Sequence, residues 1–118
     1  MNLQFDGKTF RSTSSTSNGE VNEATLFRYW QNGDIVWAEY DGGGIRQGHL
    51  LGVIREDGTL DARYHHVNEA GELMTGICKT VPELLPSGKL RLHESWQWTC
   101  RDHSAGQSVV EEIGMEDD

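Results

Sequence analysis

Residues 90–99 of the chain read LRLHESWQWT. In an extended strand, alternate side chains point to the same face. One face of this strand therefore carries four large apolar side chains: Leu90, Leu92, Trp96 and Trp98. Glu94 lies on that face between them, where a carboxylate must be paired, protonated or next to a cavity, because burying an isolated charge is costly. Glu94 is therefore the first candidate functional residue.

Turn signals rich in Gly, Asn, Asp and Ser recur at fairly regular intervals along the rest of the chain. Between them, alternation of apolar and polar residues predicts eight strands over 8–14, 21–31, 35–41, 45–55, 59–67, 72–81, 89–99 and 107–113. Ser17 and Glu20 have the spacing of a helix capping box, so a helix is the alternative for 21–31. The aromatic residues of that segment favour a strand. Residues 81–87, which hold both prolines, are predicted to form a loop or an interrupted strand edge.

These strands predict an all-β fold, an antiparallel up-and-down meander. Closing the meander into a small calycin- or lipocalin-like barrel of about eight to ten strands removes its two exposed edges. We expect one domain over residues 1–118. Its acidic tail, which includes Glu111 and Glu112, is expected to be partly frayed, and the chain is expected to be flexible from about residue 114. An eight-stranded barrel is either filled by side chains or holds one small ligand.

The formal charge of −9 argues against nucleic acid and anionic membranes as partners. No apolar run approaches the length of a membrane span, and the first ten residues lack a signal-peptide core. Cys78 and Cys100 lack CxxC spacing, which favours reduced thiols and a cytoplasmic location. We expect no cofactor.

Three segments carry a resemblance to a known group of proteins: WAEYDGG at 37–43, ARYHHVNEAGELMTGICK at 62–79 and RLHESWQWT at 91–99. Over residues 7–113 the chain resembles a family of small, mostly uncharacterised bacterial proteins, which implies a calycin-like antiparallel barrel. Members are often labelled N-acetylglutamate synthase. That activity needs an Arg/Gln-x-x-Gly-x-Gly/Ala turn that opens a helix and holds the coenzyme A pyrophosphate. The nearest match, REDGTL at 55–60, ends in Leu and carries two acids in a predicted hairpin, so the sequence does not support acetyl transfer and favours a role other than an enzyme's.

Other motifs give weak support for metal, nucleotide or nucleophile chemistry. The glycine-rich run at 42–48 lacks the last glycine of a nucleotide loop and is typical of a hairpin turn. His65 and His66 are consecutive in a strand and point to opposite faces, so we expect no metal site, although cross-strand ligands are possible. For the same reason His93, Glu94 and Ser95 cannot form a triad among themselves.

The same alternation, applied to the other strands, gives an inward-facing polar set. Ile35 and Trp37 would bring Glu39 inward, and Leu51 and Val53 would bring His49. Leu60 and Ala62 would bring Tyr64 and His66. The predicted ligand-binding residues are Trp37, Glu39, His49, Tyr64, His66, Glu94 and Trp96. A slip of one residue in register would turn any of these side chains outward.

Three functions follow from this set. The first is binding of a small, partly apolar molecule inside the barrel. The second is a packed barrel, with Glu94 paired to Arg28 or Arg63, that acts as an interaction module or homodimer through an outer face carrying Trp30, Val36 and Tyr40. The third is acid–base catalysis, which requires a cavity that joins Glu94 and His66. We rank binding first, interaction second and catalysis third.

Overall fold

The structure, a computed structural model, describes residues 4–114. It contains eight strands: β1 (Lys8–Ser15), β2 (Leu26–Asn32), β3 (Ile35–Gly42), β4 (Ile45–Ile54), β5 (Leu60–Asn68), β6 (Leu73–Leu84), β7 (Leu90–Trp98) and β8 (Ala105–Ile113). Each strand pairs antiparallel with the next, and β8 pairs with β1. The predicted all-β meander closed into a barrel is confirmed. Within the described range, no helix is long and apolar enough to cross a membrane.

The prediction for 21–31 is wrong over its first five residues, because β2 begins only at Leu26. Residues 16–25 form an irregular loop, neither strand nor helix. Strand β6 continues beyond its predicted end, through Pro82 to Leu84. Past Thr80 it pairs with β7 alone, and such an edge position is where a sheet tolerates proline.

The C-terminal acids divide into two groups. Glu111 and Glu112, expected to be frayed, lie in β8 instead. Glu111 accepts a hydrogen bond from Arg91 at 2.7 Å, and Glu112 forms an ion pair with Lys8. The flexible tail is predicted from about residue 114. Its residues beyond Gly114 lie outside the described part of the chain.

The predicted faces are right for β5 and β7 and wrong for β3 and β4. In β3 the buried side chains are Val36, Ala38 and Tyr40, so Trp37 and Glu39 point outward. Apolar residues occupy both faces of β3, and alternation alone therefore cannot choose between them. Inside a narrow barrel the smaller set fits, because it leaves room for rings from the opposite wall.

The inner and outer faces of β4 are also the opposite of those predicted, for a related reason. Its inward positions are Gly48, Leu50 and Gly52, and His49 and Leu51 lie on the outer face. A Cβ at Gly48 would lie 2.4 Å from the Tyr40 ring, so the absence of a side chain here is what lets that ring lie across β4. Gly76 on β6 makes room for the Tyr64 ring in the same way. Two glycines thus position two tyrosines.

The barrel interior has two unlike halves. Beneath the turns that join β2–β3, β4–β5 and β6–β7, the interior is filled by apolar side chains. Phe5 closes this end, and the fully buried side chains beneath it are Phe10, Tyr29, Leu60, Leu90, Leu92 and Val110. The buried His66, Glu94 and Ser108 all lie toward the opposite end. Any site for a ligand inside the barrel is therefore at that second end.

The glycine at position 48 gives a test of this packing. Gly48→Ala should lower the free energy of unfolding by about 1–3 kcal/mol, because the added methyl group displaces the Tyr40 ring from a packed interior. Chemical denaturation measures the change. The control Gln47→Ala alters the neighbouring exposed side chain and should stay within about 0.5 kcal/mol of the native protein. Equal stability of the two variants would show that Tyr40 does not lie across β4.

Candidate functional site

A cavity of about 50 Å³ lies inside the second end of the barrel. That volume is enough for a few water molecules. Its wall is made of aromatic rings with a few polar groups, contributed by Phe27, Tyr40, Leu50, Tyr64, His66, Cys78, Glu94, Trp96, Trp98, Ser15 and Ser108. Three residues of the loop between β1 and β2, Gly19, Glu20 and Val21, cover it. We call residues 17–21 the lid.

Hydrogen bonds hold the lid to the barrel rim. The indole Nε1 of Trp98 donates to the Asn18 carbonyl at 3.0 Å. Glu20 accepts from His66 Nε2 at 2.8 Å with one oxygen and from the Asn68 amide at 2.9 Å with the other. Gly19 lets the lid approach closely, because a Cβ there would lie 2.9 Å from the Trp96 ring. The lid is therefore attached by polar contacts that can exchange with water.

His66 connects the lid to the wall. Its side chain is only 2% exposed, with Nδ1 2.9 Å from the Tyr40 hydroxyl and Nε2 2.8 Å from Glu20. Burial lowers the pKa of His66, and the hydrogen bond to Glu20 opposes this shift only in part. The imidazole is thus neutral at neutral pH. Because the Glu20 carboxylate can only accept, Nε2 carries the proton and Nδ1 accepts from the Tyr40 hydroxyl.

Glu94 is the most perturbed acid in the cavity. It is 7% exposed, and Oε1 accepts a hydrogen bond of 2.9 Å from Ser108. Within residues 4–114, the carboxyl group of Glu94 makes no ion pair and no other hydrogen bond. Burial raises the pKa of Glu94 to about 7, and the Ser108 hydroxyl offsets only a small part of that rise. Near neutral pH the group is divided between a carboxylic acid, which can donate, and a carboxylate, which can only accept.

Neither arginine considered as a partner of Glu94 reaches it. Arg28 pairs with Asp41 and Arg63 with Asp61, both on the outer face of the barrel. The pairing of Glu94 with Arg28 or Arg63, expected for a packed barrel interior, is therefore wrong. The carboxyl group instead faces the cavity.

The cavity brings together four of the seven predicted site residues: Tyr64, His66, Glu94 and Trp96. The inward orientation expected for the other three is wrong. Trp37 is 37% exposed on the outer face, Glu39 is exposed, and His49 is half-buried opposite Glu39 on the neighbouring strand. All three follow from the reversed faces of β3 and β4.

Six polar or aromatic members of the site are absent from the predicted set: Ser15, Glu20, Phe27, Tyr40, Trp98 and Ser108. Tyr40 could have been found by choosing the other face of β3. Glu20 carries no such signal, because it lies in an irregular loop 46 residues from its partner His66. The hydroxyl of Ser108 faces Glu94 through the pairing of β7 with β8.

The site does not support metal binding or nucleophilic catalysis by a cysteine thiol. Across residues 4–114, no three His, Cys, Asp or Glu side chains are grouped to hold a metal ion. His65 is exposed on the outer face and His66 is buried, so the two adjacent imidazoles point apart. Cys78 and Cys100 are both free thiols, and burial raises the pKa of Cys78 far above its ordinary value. That thiol is therefore protonated and unreactive.

The pKa of Glu94 predicts how stability depends on pH. The folded state binds this proton more tightly than the unfolded chain does, where the pKa is 4.5. The stabilisation is complete below about pH 4.5 and is lost as the pH rises through about 7, a change of about 3 kcal/mol. Glu94→Gln keeps an acceptor for Ser108 without a titrating proton. Its free energy of unfolding should rise relative to the native protein by about 3 kcal/mol between about pH 4.5 and pH 8.

Denaturant titrations across this pH range measure the difference. Glu39→Gln, an exposed acid on the outer face, is the matched control and should show no such trend. A constant difference between Glu94→Gln and the native protein at all pH values would mean that Glu94 is not buried in the fold.

A family model described as avidin-like protein matches residues 3–113. This match and the eight-stranded barrel agree with the calycin-like barrel expected from the resemblance. The family description makes no reference to N-acetylglutamate synthesis. Comparison with curated proteins found no match, and neither did comparison with solved structures. The match extends over nearly the whole chain, and the chain therefore belongs to the avidin-like protein family.

Proposed function

We propose that the barrel binds a small, partly apolar molecule in the cavity beneath the lid. The observation that carries this proposal is Glu94, a buried carboxyl group whose hydrogen-bonding capacity is mostly unused and faces a cavity with aromatic walls. Ligand sites are commonly built in this way, as an apolar pocket with a few polar groups that fix orientation. Membership of an avidin-like family is consistent with small-molecule binding.

The walls and the lid would have separate roles in binding. Trp96 and Trp98, whose rings meet edge to face with centroids 5.5 Å apart, supply apolar surface. Glu94 and Tyr64 would orient the ligand's polar group from the inside, and Glu20 with His66 would do so from the mouth. Because the cavity measures only about 50 Å³, a ligand of more than a few heavy atoms has to widen it, and we expect the lid to be the part that moves.

A cavity-filling substitution tests where the ligand binds. Cys78 lines the cavity and Cys100 does not, so Cys78→Met fills the space while Cys100→Met serves as the matched control. Native mass spectrometry of the protein as purified from cells should show extra mass that disappears on denaturation. Cys100→Met should retain this mass and Cys78→Met should lose it, with affinity at least about tenfold weaker.

The same variants are titrated with small amines, alcohols and carboxylic acids, using the fluorescence of Trp96 and Trp98 as the readout. Equal binding by native protein and folded Cys78→Met would place the ligand outside the barrel. A clean mass, together with no saturable binding of any compound, would overturn the proposal.

An outer face supports a second candidate function, self-association. Trp30 pairs across strands with Trp37, and Trp37 pairs with Leu51. Leu51 is 60% exposed, so apolar surface on β2, β3 and β4 faces solvent, which is typical of an interface. The surface expected from the sequence is corrected here, because Val36 and Tyr40 are buried. The proposed partner is a second copy of the chain.

Charge placed in that surface should separate the copies. Leu51→Lys is expected to convert a dimer to a monomer by light scattering after size exclusion, because association would bury an unpaired charge. Leu84→Lys is the matched control, since Leu84 is also 60% exposed but lies on β6. A native protein that stays monomeric at all concentrations, or a dimer that tolerates Leu51→Lys, contradicts this candidate.

Catalysis stays a prediction. The cavity does join Glu94 and His66, the geometry that acid–base chemistry requires.

A further inference from the structure

The ionisable groups around the cavity are unbalanced in charge. Among the described residues that line it, two are carboxylic acids, Glu20 and Glu94, and none is lysine or arginine. Arg101, a basic side chain at the rim, pairs with Glu72. The barrel therefore supplies negative charge to this site without a fixed cation to neutralise it.

The neutral state of His66 strengthens this imbalance. Its two nitrogens are already used by Tyr40 and Glu20, and burial disfavours its protonation. An anionic ligand would thus meet two acids with no positive charge to offset their repulsion. A neutral ligand could bind the walls and leave Glu94 as a carboxylic acid, whereas a cation also pairs with its ionised form.

The walls suit a cation as well. Five aromatic side chains line the cavity together with Glu94: Phe27, Tyr40, Tyr64, Trp96 and Trp98. The faces of such rings carry negative electrostatic potential and attract ammonium groups, and Trp is the best of them. The aromatic walls and the Glu94 carboxylate therefore both favour binding of a cation. They also favour an organic cation over a metal ion, since the site lacks a group of metal-binding side chains within residues 4–114.

We propose that the ligand is a small organic cation, an inference that rests on the proposed function. The ligand is a protonated amine with an apolar body, and its nitrogen pairs with Glu94. The nitrogen occupies the inner end of the cavity beside Glu94 and Ser108, and the apolar body extends between Trp96 and Trp98 toward the lid. Glu20 supplies a second negative charge at the mouth. The overall charge of −9 would also favour the approach of such a ligand.

Binding should then be linked to pH. A cation beside Glu94 favours its ionised form, so affinity should rise between about pH 6 and pH 8, while simple amines stay protonated. The other ionisable groups that face Glu94 are Glu20 on the lid, Tyr29 on β2, Tyr40 on β3, Tyr64 and His66 on β5, and Cys78 on β6. Burial raises the pKa of the three tyrosines and of Cys78, so these groups stay protonated over this range. Burial lowers the pKa of His66, whose imidazole is already neutral.

The test compares compounds of matched shape that differ in charge. Three sizes are used: methylamine with methanol and formate, isobutylamine with isobutanol and isobutyrate, and benzylamine with benzyl alcohol and benzoate. Each set is titrated at about 0.15 M NaCl, which also supplies a competing inorganic cation. At every size that binds, the amine should bind at least about tenfold more tightly than the alcohol, and the carboxylate weakest.

Two carboxamide variants locate the charge contact. Glu94→Gln should weaken amine binding by about 10- to 100-fold and alcohol binding by less than about threefold. The matched control Glu39→Gln removes an exposed acid and should leave both unchanged. Equal losses in the two variants would mean that the amine binds the acidic surface, which overturns the inference.

The outcomes separate this inference from the proposed function. If an alcohol or a carboxylate binds best and Cys78→Met abolishes that binding, the barrel is a binder but its ligand is not a cation. If no compound of any size binds and the protein purified from cells carries no extra mass, the proposed function fails as well. Amine affinity that falls as the pH rises from about 6 to 8 would also contradict pairing with Glu94.

Discussion

The cost of burying one carboxyl group, Glu94, is the constraint on which the functional half of this barrel depends. Glu94 lies on the inner face of β7 among apolar and aromatic side chains, and Ser108 is its one hydrogen-bond partner in the described chain. A packed interior would have to pair such a group or exclude it. The fold does neither, and places Glu94 beside a cavity instead. A ligand that supplies the missing hydrogen-bond or ion-pair partner of Glu94 would therefore gain binding free energy from that contact.

The rest of the interior leaves this cavity open at one end of the barrel and fills the other end. One half is filled by aliphatic and aromatic side chains beneath Phe5 and contributes the hydrophobic stabilisation. The other half uses glycine at positions 48, 76 and 106 to seat Tyr40, Tyr64 and Trp96 against the wall. These rings narrow the barrel without closing it. The lid then covers the remaining space through hydrogen bonds of Asn18 and Glu20.

The sequence predicts the barrel and about half of the site, and the difference has a physical origin. In β5 and β7, large apolar residues occupy one face alone, so alternation identifies the inner face and with it Tyr64, His66, Glu94 and Trp96. In β3 both faces carry apolar residues, and in β4 two of the inner positions, 48 and 52, are glycines, which leave space. A rule that seeks large apolar residues then selects the outer face. The lid has no periodicity at all, so its contact between Glu20 and His66 requires the folded chain.

The most direct test of this account is a titration of the Glu94 side-chain carboxyl by ¹³C NMR, assigned by comparison with Glu94→Gln. We expect an apparent pKa of about 7 in the free protein and a lower value when a protonated amine is bound. That pair of results would show a buried, unpaired carboxyl group that gains a cation on binding. A pKa near the ordinary 4.5 in the free protein would instead show that Glu94 is solvated or already paired, and the proposed site would be wrong.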